Sequence, residues 1–354
     1  MTQSWFNRQL DRVVMASPEI PGWPLRPLAI ALLATAMPVA ALAEGPVLEP
    51  TPVPALIAPL ADQVTAIDAL SIQNDAGAEL IVAVGDRGQI LRSNDLGESW
   101  EQSVSPVSTL LSAIDRTPSG RLIAAGHDAV ILTSDDDGAS WQIVFRQPDW
   151  EQPILDVHML DDAQGFAIGA YGLFLETKDG GESWEQRFVF DGDSHLYDSV
   201  RLPDDTLMIV GEFGTILRSR DVGENWEELE STPYGGTFFG ILAPPAAATD
   251  EPILAFGLQG NVFATNDQGD SWERVPTGVS NGFYGGVWAE GQAPILIGHG
   301  GMLLFDDQPT ADFNWRAVVR EARKPLAGGL PLSDGTLLIY GETGLTRLPA
   351  DGGS

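Results

Sequence analysis

Five aspartates recur at one position of one phrase. An aspartate in a glycine-rich turn can serve as a general base, a glycosidic acid or a cation ligand, so this repetition sets the first question about chemistry. The phrase is Ser/Thr-x-Asp-x-Gly-x-x-Trp, read as "SNDLGESW" (93–100), "SDDDGASW" (134–141), "TKDGGESW" (177–184), "SRDVGENW" (219–226) and "TNDQGDSW" (265–272). A calcium loop of the EF-hand kind needs ligands spread over about twelve residues and a closing bidentate Glu, and none of the five copies has that spacing. A catalytic acid is needed once, not five times. The repetition instead suits a turn. Asp, with Ser or Thr, accepts backbone N–H groups a few residues on, Gly takes a backbone conformation that a Cβ opposes, and Trp starts the next strand as a large apolar wedge. Asp95, Asp136, Asp179, Asp221 and Asp267 are therefore read as structural, each with its partner Trp100, Trp141, Trp184, Trp226 or Trp272.

Other chemistry is sparse. There is no Cys, so no disulfide, thiolate metal site or lipid-anchored cysteine is available, and the four His (127, 158, 195 and 299) have no paired metal-ligand spacing. The chain has no G-x-S-x-G motif. Its G-x-x-G tetrads are turns between strand-like runs, without the following helix that a phosphate cradle requires. No catalytic residue, metal or cofactor is assigned.

The elements that must hold these turns are short strands. Each copy of the phrase follows a leading glycine, at 85, 126, 169, 211, 257, 298 and 341, with spacings of 41, 43, 42, 46, 41 and 43 residues. The Trp lies 15 residues after the Gly in the first five copies and 17 in the degenerate sixth, "LIGHGGMLLFDDQPTADFNW" (296–315), while the seventh, "IYGETGLTRLPADGGS" (339–354), stops before a Trp. Each unit holds four apolar runs separated by Gly, Asp or Asn turns, as in "TLLSAIDRT", "RLIAAG", "AVILTS" and "SWQIVF". Four strands in about 40–45 residues is the period of a propeller blade. The expected fold is all-β: a seven-bladed β-propeller of four-stranded blades filling 53–354. The truncated seventh unit needs a strand from elsewhere, and "VPALIAPL" (53–60) is the spare one, so the N-terminal strand is expected to close the last blade.

The segment before the repeats reads as a targeting signal. Arg8, Arg12 and Arg26 precede the apolar "PLAIALLATAMPVAALA" (27–43), which ends in a small-residue cleavage pattern with Ala41 and Ala43. The reading is a signal peptide over 1–43, removed on export, followed by a proline-rich linker over 44–52. The alternative, a retained membrane anchor, meets an apolar run of only 17 residues interrupted by Pro38, where spanning takes about 20. The whole chain carries 50 acids against 19 bases, net −31. The segment 1–43 holds three of the bases and two of the acids, so removing it leaves 48 acids and 16 bases, net −32. That surface excludes nucleic acid, whose phosphates need Lys and Arg, and argues against polybasic membrane attachment.

These repeats resemble the Asp-box (BNR) repeats of sialidases, sortilin-type receptors and the photosystem II stability/assembly factor family. The longer form, G-x-x-G followed by strand, Asp-box and Trp, most resembles the last of these. The resemblance implies a non-enzymatic seven-bladed propeller that assists assembly of a membrane protein complex by binding partner proteins. Relatives outside phototrophs are exported, some alongside exporters of the resistance-nodulation-division type. The expected location is therefore the periplasm, or the thylakoid lumen in a phototroph, and the expected partner a membrane protein complex or exporter subunit. Two alternatives stand: a periplasmic binding protein for an apolar small molecule, and a sialidase-like glycan-active propeller. The latter lacks the family's N-terminal Arg-Ile-Pro motif. "RLP" occurs only at 201–203 and 347–349, where a strand running into a turn is the simpler reading.

A binding face is expected where the G-x-x-G turns meet the connections between blades, opposite the Asp-boxes. The turn interiors vary within fixed flanks, offering Asp86, Arg87, His127, Tyr171, Phe213 and His299. The connections are aromatic, offering Trp150, Tyr197, Tyr234, Phe283 and Tyr284, with Arg323 beside them. Phe238 and Phe239, in the same connections, are expected to point into the core.

Overall fold

In a computed structural model, residues 60–349 are described apart from 74–76, 231, 233, 246–250, 289–290 and 308–312, together with residue 352. Alternating apolar runs broken by Gly and Asp turns give antiparallel sheets, seven in all. Blade 1 has strands Ala66–Gln73, Glu79–Gly85, Ile90–Ser93 and Glu101–Gln102, paired in chain order. The inner strands of the following blades are Leu111–Arg116, Ile154–Met159, Leu196–Arg201, Phe238–Leu242, Phe283–Val287 and Leu326–Pro331. Six sheets have four strands, and the seventh has three among the described residues. The expected closing strand, 53–60, lies outside those residues but for Leu60.

Each inner strand contacts the inner strands of both neighbouring blades, and the last contacts the first, so the seven form a closed ring. Seven apolar clusters fill the seven inter-blade gaps. One joins Leu80, Val82 and Ile90 of blade 1 to Leu111, Leu122 and Leu132 of blade 2, and the seventh joins Leu338 and Tyr340 of blade 7 to Ile81 and Leu91 of blade 1. The middle strands are buried on both faces, which is why they read as continuous apolar runs such as "LIAAG" and "LMIVG".

The tryptophans act between blades. Trp141 of blade 2 sits in the blade 1–2 cluster, Trp184 in the blade 2–3 cluster and Trp272 in the blade 4–5 cluster. Trp226 packs edge-on against Phe166 and Phe174 of the blade before it. Each Trp thus wedges its blade against the preceding one. Polar staples reinforce the same gaps: Arg218 of blade 4 donates to Glu227 in its own blade (2.8 Å) and to Asp270 and the Gln268 carbonyl of blade 5 (2.7 Å each). Between blades 7 and 1 the Tyr340 hydroxyl donates to Asp68 (3.2 Å), Arg347 pairs with Glu98, and the Ser333 N–H donates to Glu79 (3.1 Å).

Candidate functional site: the G-x-x-G face and the channel mouth

The Asp-box carboxylates are consumed by their own turns. In the first box Asp95 Oδ1 accepts the Ser99 N–H and the Ser93 hydroxyl (2.8 Å each), Oδ2 accepts the Ser99 hydroxyl (2.5 Å), and Ser93 Oγ accepts the Gly97 N–H (2.8 Å). The second, third and fifth boxes repeat the set through Ser140, Ser183 and Ser271, and the fourth through Asn225. Those hydrogen bonds favour the charged carboxylate and hold all five below the usual aspartate range. The sixth copy departs from this pattern: Asp306 takes the Ser/Thr place and accepts the Asn314 N–H (2.9 Å).

The leading glycines mark the tightest backbone approach in each blade. A Cβ on Gly126 would lie 2.1 Å from the Leu110 carbonyl oxygen, and the equivalent clash recurs at Gly85, Gly169, Gly211, Gly257, Gly298 and Gly341, at 2.1–2.5 Å. In every blade that same carbonyl accepts the N–H of the residue after the glycine, for example His127 to Leu110 at 2.9 Å. The glycine therefore lets the turn dock on the start of the inner strand. The turn then enters the left-handed region at its tip: Arg87, Asp128, Tyr171, Phe213 and Gln259 have φ of 55–61°. A bulky residue in that region is uncommon.

Placement of the candidate residues is uneven. Phe213 is 74% exposed and Tyr171 58%. His127, His299 and Arg323 are also exposed, and Arg87 pairs with its neighbour Asp86 (3.4 Å). Trp150 lies edge-on to Phe145 (5.8 Å) and leans on the blade 2–3 core. Tyr234 packs on Phe238 and Phe263 with its hydroxyl donating to Leu258 O (3.3 Å). Phe283 must be corrected: it is fully buried in the blade 5–6 core, because it is the first, paired residue of its inner strand and faces the sheet interior. Of Phe238 and Phe239, only Phe238 enters the core, while Phe239 lines the channel mouth.

A register irregularity explains Phe239. Every inner strand has a bulge after its first residue, leaving Ile67, Ser112, Leu155, Tyr197, Phe239, Tyr284 and Ala327 unpaired. A bulge turns an extra side chain out of the sheet, and all seven line one cavity of about 560 Å³ at the channel mouth. The next residue of each strand forms a second tier. On blades 1, 3 and 4 it is Asp68, Asp156 and Asp198; on blade 2 it is Ala113; on blades 5, 6 and 7 it is Gly240, Gly285 and Gly328.

The second-tier carboxylates tie neighbouring inner strands. Asp68 accepts the Ile114 N–H, Asp198 the Ile241 N–H (2.9 Å each), and Asp156 the Ser199 hydroxyl (2.6 Å). Sunk deep in the ring yet open to the channel, they titrate high. Burial raises Asp68 to about 6 and Asp198 to about 7, and burial together with the facing Asp198 charge raises Asp156 well above the usual range. Burial and then Glu212 push the Tyr197 hydroxyl up to about 12. The sequence reading missed this tier. Its signal is an Asp two residues into an apolar strand, in "AIDALS", "ILDVHM" and "LYDSVR".

The arginines of the two "RLP" stretches are each engaged in local pairs. Arg201 donates to Asp205 and the Leu160 carbonyl, while Arg347 pairs with Glu98 and Asp334. His158 is half-buried, stacked on Phe166 (5.5 Å), and desolvation lowers its pKa. Among the described residues no cluster of His, Asp and Glu has metal-holding geometry.

Comparison with known proteins fits this geometry. Residues 138–236 match the family model described as photosynthesis system II assembly factor YCF48. The uncharacterized protein YkuO of Bacillus subtilis (strain 168) is 26% identical over 98 residues, which is 28% of this chain and 30% of that protein. YCF48 bound to D1 peptide is a structural neighbour at TM-score 0.63 and 18% identity, covering 81% of this chain and 92% of its own. YCF48 from Cyanidioschyzon merolae matches at TM-score 0.64 and 16% identity, covering 83% and 98%. The WD40 propeller domain of Doa1 also matches, at TM-score 0.64 and 9% identity, covering 84% and 95%, so the likeness in shape speaks for the propeller fold alone. The Asp-box repeats and the G-x-x-G frame make this chain a seven-bladed propeller of BNR repeats, and over residues 138–236 it is similar to the photosystem II assembly factor family.

Proposed function

We propose that this chain is an exported, non-catalytic propeller that helps assemble a membrane protein complex, a resistance-nodulation-division exporter being the leading candidate, and that it binds its partner through the G-x-x-G face. The periplasm is its proposed location, with the thylakoid lumen the counterpart in a phototroph. The observation that carries the reading is the pair of large aromatic side chains, Tyr171 and Phe213, held in solvent at left-handed turn tips on adjacent blades. Exposed apolar groups on one face mark interaction surfaces, and aromatic residues are enriched where protein interfaces are strongest. A neighbour in fold, YCF48, has been solved with D1 peptide bound, which supports a peptide segment as the thing recognised.

An apolar small molecule fits less well. The channel mouth is apolar, but three carboxylates stand beneath it, and seating an apolar ligand there strips their hydration without replacing it. The test is crosslinking in the native host with tagged wild type and a Tyr171→Ala, Phe213→Ala, Tyr284→Ala variant, followed by mass spectrometry. An integral membrane protein recovered with wild type and lost with the variant is expected. Recovery that ignores the three substitutions would overturn the assignment of the face.

A further inference from the structure

The G-x-x-G face carries a continuous path of rings that leads inward. Tyr171 lies edge-on to His195 (4.6 Å), His195 lies 6.2 Å from Tyr197, Tyr197 meets Phe239 edge-on (5.1 Å), and Phe239 meets Tyr284 (5.3 Å). The path begins at an exposed turn tip of blade 3 and ends at the channel mouth on blade 6. There the bulges bring Tyr197, Phe239 and Tyr284 into the wall of the cavity, directly above the acidic tier.

The cavity is built asymmetrically in charge. Asp68, Asp156 and Asp198 face into it from blades 1, 3 and 4, while Gly285 and Gly328 line it from blades 6 and 7, and the side-chain place of Gly240 on blade 5 is taken by the Phe256 ring. Its lining includes no Lys or Arg. The carboxylates are hydrogen-bonded by backbone N–H and hydroxyl groups, yet no cation balances their charge from the cavity wall. Buried charges in proteins are ordinarily paired, and an aromatic collar above carboxylates suits an organic cation, which the ring faces also attract.

We propose that the channel mouth is the receptor for one basic side chain of the partner protein, presented by an extended segment whose apolar residues lie along the ring path from Tyr171 to Tyr284. This rests on the reading of the G-x-x-G face as the partner-binding face and names the chemistry of what binds there. The cavity takes an ammonium or guanidinium group on its aliphatic stem, with the stem against Tyr197, Phe239 and Tyr284 and the charge over Asp156 and Asp198. Charge complementarity with a chain of net −31 draws such a segment in. Binding is coupled to protons. Asp68, Asp156, Asp198, Glu342, Tyr197, Tyr284 and Tyr340 are the titratable groups lining the site, with the Asp115 charge acting on Asp68 and Asp156 from outside the lining, and a bound cation favours the ionised carboxylates. Affinity for the basic segment therefore rises with pH between about 5 and 8.

The test uses the whole propeller-bearing chain and two capped decapeptides by calorimetry. Both contain the same leucine–phenylalanine run, followed in one by lysine and in the other by norleucine. Expected is at least tenfold tighter binding of the lysine peptide at pH 8, a preference that shrinks at pH 5. The preference should vanish in an Asp156→Asn, Asp198→Asn variant whose melting curve remains cooperative, and in Asp156→Asn alone if the double variant does not fold. Tyr284→Ala should weaken both peptides. Equal binding of the two peptides by wild type overturns the cation receptor while leaving the apolar face intact. Binding of neither peptide overturns the receptor outright, whereas the binding face itself stands or falls with the crosslinking result. Benzylammonium that binds alone as tightly as the lysine peptide overturns the peptide occupant in favour of a free amine.

Discussion

Replacing Gly126 by alanine tests the reason the leading glycines repeat. The new Cβ would lie 2.1 Å from the Leu110 carbonyl oxygen and 2.8 Å from Leu111 Cα, where non-bonded heavy atoms ordinarily settle near about 3.5 Å. The φ of this glycine is −179°, extended backbone that alanine adopts freely, so the cost is one of contact and not of torsion. Both obstructing atoms are backbone, fixed in the ring of inner strands, so they cannot turn aside as a side chain would. Relief requires the turn or the inner strand to move by about 1 Å. Overpacking of this kind costs about 1–3 kcal/mol, and losing the 2.9 Å bond from the His127 N–H to the Leu110 carbonyl adds about 1 kcal/mol. The expected destabilisation is about 2–4 kcal/mol, or roughly 3–6 °C in melting temperature for a domain of this size. The assay is differential scanning calorimetry at pH 6 beside Gly235→Ala, whose added Cβ meets no atom within 4 Å and should change stability by less than about 1 kcal/mol. If Gly126→Ala melts together with Gly235→Ala, close approach is not what the repeated glycine serves.

Two pH effects of opposite sign follow from the two sets of aspartates. Asp198 titrates near 7 in the folded chain, so between its unfolded pKa near about 4 and that value the folded state holds a proton the unfolded state has released, and its contribution to stability falls as pH rises through this window. Asp198→Asn keeps an acceptor for the Ile241 N–H and removes the fall: melting should match wild type near about pH 4 and exceed it at about pH 8 by about 1–2 kcal/mol after screening by solvent in the channel. A melting temperature that drops between pH 5 and 8 as steeply in the variant as in wild type would discount the channel carboxylate. Asp136 is held low by its turn, so its contribution is present above about pH 4 and is lost as pH falls through its folded value. Asp136→Ala should cost about 1 kcal/mol at neutral pH, as loss of a capping carboxylate does, and the difference should close in an acid titration below pH 4.

The blade count, the strand content of each unit and the structural role of the Asp-box were written in the sequence, because each depends on local chemistry repeated at a fixed interval. A turn of Ser, Asp and Gly closes on itself within seven residues, Ser93 to Ser99 in the first copy, and seven leading glycines at 41–46 residue spacing count seven sheets. The face of the G-x-x-G turns was legible too, since strand alternation decides which connections share an end. What failed was the aim of individual aromatics. Phe238, Phe239, Phe283 and Tyr284 form two adjacent aromatic pairs in equivalent connections, and composition treats the four alike. Tertiary register separates them: the bulge after the first strand residue leaves Phe238 and Phe283 paired and buried, and turns Phe239 and Tyr284 into the channel. The acidic tier shares that cause. Asp68, Asp156 and Asp198 are 42 or more residues apart in adjacent pairs, in strands that read as ordinary half-buried elements. Only closing seven twisted sheets into a ring brings them around one cavity, where burial and mutual repulsion change their protonation. The sequence determined what each blade is, because that is settled by short-range hydrogen bonding and alternation. The tertiary structure alone decided what the blades enclose, because that depends on ring closure and on a one-residue shift in pairing that no local pattern announces.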